Sequence, residues 1–215
     1  MDLAPAPSPF AVMAHSTTPL EVAVVLASNR EGRLAPVVAN WFLSHTVGHP
    51  GLATDLIDIA ELDLPVALSH RPDDDAQSRL APVSARLARA DAFVVITPEY
   101  NHSYPAPLKN LIDWHRAEWQ AKPVAFVSYG GVSGGLRAVE HLRQVFAELH
   151  GVGIRDTVSF HNAGALFDEE GRPRDPAGCD AAARKLLDQL VWWGRALRDA
   201  KAAHPYGVPT TGIMP

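Results

Sequence analysis

Two arginines and a serine stand close together after the first strand-like segment of the chain. Residues 28–33 read Ser-Asn-Arg-Glu-Gly-Arg, and a helical pattern opens at Leu34. The amino terminus of a helix offers free N–H groups and partial positive charge, and arginine pairs well with phosphate. The segment therefore predicts a phosphate site built from Ser28, Asn29, Arg30, Gly32, Arg33 and Leu34. A solvated connection with two ordinary arginines is the alternative.

A polar and aromatic loop follows the third strand-like segment, Phe93 to Ile96. A helix then begins behind Pro105 and Pro107. In parallel sheets, ligands bind in the crevice outside the carboxyl ends of the strands. This loop is therefore a candidate binding edge, although an ordinary surface turn is an equally good interpretation of the segment alone. Its chemically capable residues are Pro98, Glu99, Tyr100, Asn101, His102 and Tyr104.

Four glycines lie within six residues after the fourth strand-like segment, which runs from Val124 to Ser128. The loop reads Tyr-Gly-Gly-Val-Ser-Gly-Gly over residues 129–135. Because glycine has no side chain, a flat ring system could lie close to the backbone of such a loop. The candidate binding residues here are Tyr129, Gly130, Gly131, Ser133 and Gly134.

The same glycine-rich segment supports a second hypothesis. Residues 131–135 match G-x-S-x-G, the turn that presents the nucleophilic serine in α/β-hydrolases, between a strand and a helix. A Ser, Asp, His order would be completed by Asp156 or Asp175 with His161 or His204. The match is short, and a hydrolase leaves the arginines and the loop after the third strand without a role. A serine hydrolase with Ser133 as nucleophile is therefore the runner-up.

Composition limits the partners and the compartment. The 215 residues carry a net charge of −5 without a cluster of Lys and Arg, so nucleic acid and an acidic membrane surface are not expected partners. The single cysteine excludes an internal disulfide and suits the cytoplasm. No apolar run approaches a membrane span, and the ten histidines form no recognisable ligand pattern, so no metal is expected.

The element pattern predicts a doubly wound α/β fold. Strand-like runs begin near Val22, Leu52, Ala92, Val124 and Val152, and helical patterns follow the first four. A fifth helix spans residues 181–203 after a polar loop over residues 161–176. We expect a flavodoxin-like five-stranded parallel sheet of order 2-1-3-4-5 with helices on both faces. We expect one domain over residues 21–203, an irregular proline-rich arm over 1–20 and an irregular tail over 204–215.

Taken together, the three loops resemble those of the NAD(P)H-dependent FMN reductase family, which includes quinone and azo-dye reductases. The likeness covers residues 21–160. In that family a loop of form S-x-R-x-G-R holds the FMN phosphate, and Ser28, Arg30, Gly32 and Arg33 match it. A P-E-Y-N loop runs along the isoalloxazine, matched by residues 98–101, and a Y-G-G loop covers its other edge, matched by residues 129–131. Ala27 stands where many relatives have glycine.

The resemblance implies bound FMN, NADPH or NADH as hydride donor, and a homodimer with the flavin near the interface. It also implies ping-pong transfer of two electrons to a quinone, an azo compound, a flavin or a similar small acceptor. The flavin would carry the chemistry, with Tyr100, His102 and Tyr104 among the side chains able to protonate a reduced acceptor. A flavin-binding module without turnover is a further alternative.

Overall fold

Three buried apolar runs and two partly exposed segments form the strands of the computed structural model, which describes residues 18–49 and 51–207. The strands are β1 (Leu20–Leu26), β2 (Leu52–Asp58), β3 (Ala92–Pro98), β4 (Pro123–Tyr129) and β5 (Val152–Phe160). The helices are α1 (Ala35–Thr46), α2 (Asp74–Arg89), α3 (Ala106–Trp114), α4 (Leu136–Glu148) and α5 (Pro176–Ala203). Three short 3-10 turns are also present in this part of the chain: Ile59–Glu61, Ala117–Trp119 and Ala163–Ala165.

The strands form one parallel sheet of order β2-β1-β3-β4-β5. This order confirms the predicted flavodoxin-like arrangement. Because β1 lies between β2 and β3, the loops after β1 and β3 leave the sheet side by side. The Ala27 N–H, just past β1, still bonds to the Ile96 carbonyl at 2.9 Å. The two loops therefore start from adjacent, hydrogen-bonded backbone.

Helices cover both faces of the sheet. Helices α1 and α5 pack on one face, where Phe42 and Leu190 are fully buried. Helices α2, α3 and α4 pack on the other, where Leu87, Leu111 and Phe146 are fully buried. With both faces covered, the central strands are continuous apolar runs, as parallel sheets require.

Element boundaries differ from the predicted ones at the starts of β1 and α5. Strand β1 begins at Leu20, one residue before the predicted domain start. Helix α5 begins at Pro176, five residues before the predicted start, because proline suits the first turn of a helix. The connection between β5 and α5 contains the 3-10 turn Ala163–Ala165. Residues 1–17 of the predicted arm (1–20) and residues 208–215 of the predicted tail (204–215) lie outside the described residues.

None of the helices in the described ranges is long and apolar enough to cross a membrane.

Candidate functional site

One pocket lies at the carboxyl ends of strands β1, β3, β4 and β5. Its volume is about 450 Å³. All three loops proposed from the sequence contribute to it. The lining residues are Ser28, Arg30, Glu31, Gly32, Arg33, Leu34, Pro98, Glu99, Tyr100, Tyr129, Gly130, Gly131, Ala163 and Gly164.

The first loop, residues 28–34, leads into α1, whose amino-terminal N–H groups are not capped by a side chain. Gly32 has φ +63°, a left-handed conformation that turns the chain at little steric cost. The residue before the helix, Leu34, makes no side-chain capping bond, and the first turn contains proline and no acidic residue. The amino end of α1 therefore faces the pocket without a side chain already bound to it.

The two arginines of the first loop have different surroundings. Arg33 donates from Nη1 to Oδ1 of Asp58 at 2.6 Å and to the Ser28 carbonyl, and from Nη2 to Oδ2 of Asp58. Burial raises the pKa of Asp58, but the bonds from Arg33 and the Ala60 N–H outweigh it and lower that pKa. Arg30 is exposed, and its guanidinium has no hydrogen-bond or ion-pair partner within residues 18–49 and 51–207. Arg33 therefore fixes the loop, and Arg30 is the cation left free for a ligand.

Two tyrosines approach the first loop from neighbouring strands. The Tyr100 hydroxyl lies 2.7 Å from the Oγ of Ser28, so the loops after β1 and β3 are joined by a hydrogen bond. Tyr129, at the end of β4, is only 6% exposed, and its hydroxyl oxygen is buried with no hydrogen-bond partner in the described structure. Buried hydroxyls are nearly always paired, so the Tyr129 hydroxyl marks a place where a polar ligand group fits.

The loop after β3 contains a tight two-residue turn. Tyr100 and Ser103 exchange both backbone hydrogen bonds, at 2.9 and 3.1 Å. Between them, Asn101 and His102 both adopt positive φ, 49° and 72°. Both tip residues are exposed and lie outside the pocket lining. The Oγ of Ser103 lies 2.9 Å from Nδ1 of His141 in α4, which holds the turn against that helix.

Glu99 connects the loop after β3 to the glycine loop, residues 129–135. Its carboxylate accepts bonds from Ser133 Oγ at 2.6 Å, from Arg137 Nη1 at 2.9 Å and from the Arg137 N–H at 3.3 Å. Burial raises the pKa of Glu99, but these three donors outweigh it and hold the pKa below its usual range. Ser133 is therefore occupied in a structural contact and does not line the pocket.

Two glycines of that loop differ in what surrounds them. A Cβ on Gly131 would meet no atom within 4 Å, so its surface stays open to the pocket. A Cβ on Gly134 would come within 2.5 Å of Ser159 Oγ and 2.8 Å of His161 Nε2, and Gly134 has φ +62°. Gly131 thus leaves room for a ligand, and Gly134 permits close packing of the loop on β5.

Sequence reasoning did not select Glu31, Ala163 or Gly164, all of which line the pocket. The 3-10 turn after β5 is bound to the glycine loop through the Asn162 and Ala163 N–H groups, which donate to Gly131 and Gly130 carbonyls at 2.8 and 3.0 Å. The predicted strand order already placed β5 beside β4. That order is the signal from which a contribution of the following loop could have been inferred.

The geometry disfavours the serine hydrolase. Ser133 donates to Glu99, and His161 donates from Nδ1 to the Val132 carbonyl at 2.8 Å, so the two do not form a nucleophile–base pair. Ser133 is also absent from the positive-φ residues of the described chain, unlike the strained serine of a nucleophile turn. Asp175 and His204 flank opposite ends of the 28-residue α5, about 40 Å apart at 1.5 Å per residue.

A second, more apolar cleft of about 500 Å³ lies on the β2 side of the first loop. Asn29 faces this cleft and is not part of the pocket lining, in contrast to its expected role. One wall of this cleft is the segment after β2, and the other is the start of α3. The side chains of Asn110 and Trp114 on α3 join the two walls, because both donate hydrogen bonds to the Pro65 carbonyl, at 3.1 and 2.7 Å. The lining residues are Asn29, Ile59, Ala60, Leu62, Leu64, Val66, Ala106, Pro107, Lys109 and Asn110.

Tyr104 lies against the core on the α3 side, half-buried, and is not part of either cleft lining. Burial raises the pKa of Tyr104. Among the described residues, no cluster of three or more His, Cys, Asp or Glu has the arrangement of a metal site.

A flavodoxin-like sheet with a phosphate-type loop, an aromatic loop and a glycine loop around one pocket defines a flavin-binding class of protein. The sequence model of the NADPH-dependent FMN reductase family matches residues 20–165. The chain belongs to this family, whose members are oxidoreductases that work with FMN and NAD(P)H.

Similar proteins agree with this assignment. A probable NADPH:quinone oxidoreductase of Oryza sativa is 33% identical over 178 residues, or 76% of this chain and 85% of that protein. An NAD(P)H-dependent FMN reductase of Schizosaccharomyces pombe is 37% identical over 125 residues, which span 54% of this chain and 60% of that protein. The flavoenzyme NAD(P)H:acceptor oxidoreductase of Paracoccus denitrificans superposes with TM-score 0.66 and 26% identity over 82% of this chain and 98% of its own.

Proposed function

We propose that this protein is an FMN-dependent NAD(P)H oxidoreductase that passes two electrons, by a ping-pong mechanism, to a small acceptor. A quinone, an azo compound and a flavin are the acceptor classes we propose. The observation that carries the proposal is that an arginine-bearing loop, an aromatic loop and a glycine loop line one pocket at the carboxyl edge of the sheet. Family membership supports the enzyme class.

The residues of the pocket fit FMN. Its volume of about 450 Å³ lies within the usual range of small-molecule sites. The uncapped end of α1 and the free Arg30 guanidinium suit a phosphate. Gly130 and Gly131 offer a wall without side chains for the flat ring.

When bound, FMN supplies the redox chemistry, taking hydride from NAD(P)H and passing two electrons on. The chain itself binds and orients. Arg30 attracts the phosphate, and the bond between Ser28 and Tyr100 fixes the distance between two walls of the pocket. Arg137 neutralises the Glu99 carboxylate, so this pocket wall carries no uncompensated negative charge.

Proton donation to a reduced acceptor is proposed for the loop after β3. His102 is exposed at the tip of the turn, in the same loop as Glu99 and Tyr100, which line the pocket. Tyr104 is the second candidate, because a phenol is protonated at neutral pH and burial raises the pKa of Tyr104 further. The Tyr100 hydroxyl is already bonded to Ser28, which favours a positioning role for it.

We also propose a homodimer. The resemblance of the three loops to the FMN reductase family supports this proposal. Exposed apolar side chains such as Val66 and Val132, 89% and 85% exposed, are groups that an interface would cover. Light scattering of the purified protein tests this, and a monomer at micromolar concentration would contradict it. A cytoplasmic location stays a prediction from the sequence.

The proposed function is tested by two measurements on one preparation. The absorption spectrum should show about one flavin per chain, released as FMN on denaturation. NADPH and NADH oxidation is then followed with and without a quinone acceptor. Parallel initial-rate lines over a grid of both substrates are expected for ping-pong transfer.

Each possible result of these two measurements supports one alternative to the proposed function. A protein without flavin that also fails to bind added FMN contradicts the proposal altogether. Bound FMN without NAD(P)H oxidation identifies a flavin-binding module without turnover. Intersecting rate lines retain the oxidoreductase and overturn the ping-pong order.

A further inference from the structure

The buried Tyr129 hydroxyl makes no well-formed hydrogen bond to the described residues. Tyr129 is 94% buried, since it is only 6% exposed, yet its oxygen finds no hydrogen-bond partner in the described structure. An unpaired buried hydroxyl costs about 1 to 3 kcal/mol by comparison with a paired one. Phenylalanine would fill the same space without that cost. The hydroxyl is therefore best explained by a group that binds to it from outside the chain.

The surroundings of this hydroxyl belong to the first loop. Burial raises the pKa of Tyr129, and the nearby Ser28 side chain opposes this rise, although the two hydroxyls do not meet the geometry of a full hydrogen bond. The charged or polar groups that also act on it are Tyr100, Arg33 and Asp58. None of these groups comes from the glycine loop that Tyr129 begins. The hydroxyl therefore lies beside the first loop, whereas the resemblance to the family places Tyr129 with Gly130 and Gly131 at the edge of the ring.

One of the two arginines of the first loop, Arg33, is not available to bind a phosphate. Arg33 is held by both carboxylate oxygens of Asp58 and by the Ser28 carbonyl. Its charge is thus balanced within the chain, and Arg30 is the remaining cation of the loop. A phosphate at the end of α1 carries up to two negative charges and several acceptor oxygens, which leaves a place for a neutral donor.

We propose that the Tyr129 hydroxyl donates a hydrogen bond to the phosphate of FMN, so that strand β4 forms the floor of the phosphate site. This inference rests on the proposed function and extends it to a residue outside the phosphate loop. A phenol is a suitable donor because it stays protonated across the working pH range. The charges of Arg33 and Asp58 balance each other in an ion pair, so the Asp58 carboxylate does not repel a phosphate bound near Tyr129.

The contribution of the phosphate to binding can be separated from that of the rest of the cofactor by comparing FMN with riboflavin. Riboflavin has the same ring and ribityl chain without the phosphate. The dissociation constants of both are measured by fluorescence quenching on apoprotein of the parent and of Tyr129→Phe. Tyr206→Phe is the matched control, because its hydroxyl contacts His150 at an exposed position remote from the pocket.

We expect Tyr129→Phe to weaken FMN binding about tenfold or more, the effect of losing a hydrogen bond to a charged group. Riboflavin binding should change less than about twofold, because the variant removes only a contact to the phosphate. Tyr206→Phe should change neither. The thermal midpoint of the Tyr129→Phe apoprotein should equal or exceed that of the parent, because a buried unpaired hydroxyl is removed.

The failures are distinguishable. Equal losses for FMN and riboflavin would place the hydroxyl at the ribityl chain or the ring and overturn the phosphate assignment. Unchanged FMN affinity would also overturn it, leaving the proposed function intact. A parent that binds neither compound contradicts the proposed function itself. A lowered apoprotein midpoint with unchanged FMN affinity would show that Tyr129 serves only the fold.

Discussion

The Oγ of Ser133 donates a 2.6 Å hydrogen bond to Oε2 of Glu99, across the gap between the glycine loop and the loop after β3. Arg137, at the start of α4, adds an ion pair to the other carboxylate oxygen at 2.9 Å. Since Glu99 lines the pocket and Ser133 does not, the contact fixes the spacing of two pocket walls from behind. This relationship gives Ser133 a positioning role where a nucleophile was the alternative.

Glu99→Gln should lower the free energy of unfolding at pH 7 by about 1 kcal/mol, because the charge-assisted bonds to Ser133 and Arg137 weaken. The difference from the parent should depend on pH. The pKa of Glu99 is lowered in the folded state, so its stabilising effect is complete above the unfolded value and is lost as pH falls through the folded one. Urea unfolding between pH 3 and pH 7 measures this, and a difference that stays constant over that range would contradict it.

Ser133→Ala should keep its flavin and oxidise NAD(P)H within about tenfold of the parent rate, a change of roughly 1.4 kcal/mol in the barrier. The hydroxyl contacts Glu99 and is not among the groups that line the pocket. A hydrolase would lose orders of magnitude with its nucleophile. The assay follows NAD(P)H absorbance with a quinone, beside p-nitrophenyl ester hydrolysis. Brisk ester cleavage by the parent that Ser133→Ala abolishes, with no NAD(P)H oxidation by either, would restore the hydrolase.

Arg30→Ala and Arg33→Ala should have separable effects. Arg30→Ala should weaken FMN binding about tenfold or more while changing the free energy of unfolding by less than about 0.5 kcal/mol, because its guanidinium is exposed and unpaired within the described structure. Arg33→Ala should cost the apoprotein about 2 kcal/mol, because Asp58, 11% exposed, loses its partner. Titration calorimetry and urea unfolding of both apoproteins provide the comparison. The assignment is wrong if Arg30→Ala leaves FMN affinity unchanged or Arg33→Ala leaves stability unchanged.

Lys122→Met should reveal a pH-dependent contribution of a buried lysine remote from the pocket. Lys122 is 6% exposed and donates to the Leu87 and Ala88 carbonyls at the end of α2. Burial lowers its pKa to about 8. The folded state therefore binds fewer protons than the unfolded state between pH 8 and 10.5, so the parent gains stability relative to Lys122→Met as pH rises through that window. Lys185→Met, at an exposed position, is the control. Identical pH profiles for the parent and Lys122→Met would refute the prediction.

The fold could be predicted from the sequence because its signals are local. Continuous apolar runs such as Phe93–Ile96 are buried on both sides in a parallel sheet, and each of the first four strand-like runs is followed by a helical pattern. General rules of strand order then gave the 2-1-3-4-5 sheet. The same order brought the loops after β1, β3 and β4 to one edge, so most of the pocket lining was named in advance. The start of α5 was missed because a proline can end a loop or begin a helix.

Only the tertiary structure determined which partner each side chain binds, and therefore which role it can have. Arg33 looked like Arg30 in the sequence, but the chain brings Asp58, 25 residues away, to its guanidinium. Ser133 matched a nucleophile motif, and only the approach of Glu99 from the neighbouring strand gives it another partner. The alternation of strands and helices, together with the general rules of this fold, predicts which loops meet, because strand order is a property of whole elements. The direction and pairing of a side chain depend on residues distant in sequence, which no local pattern contains.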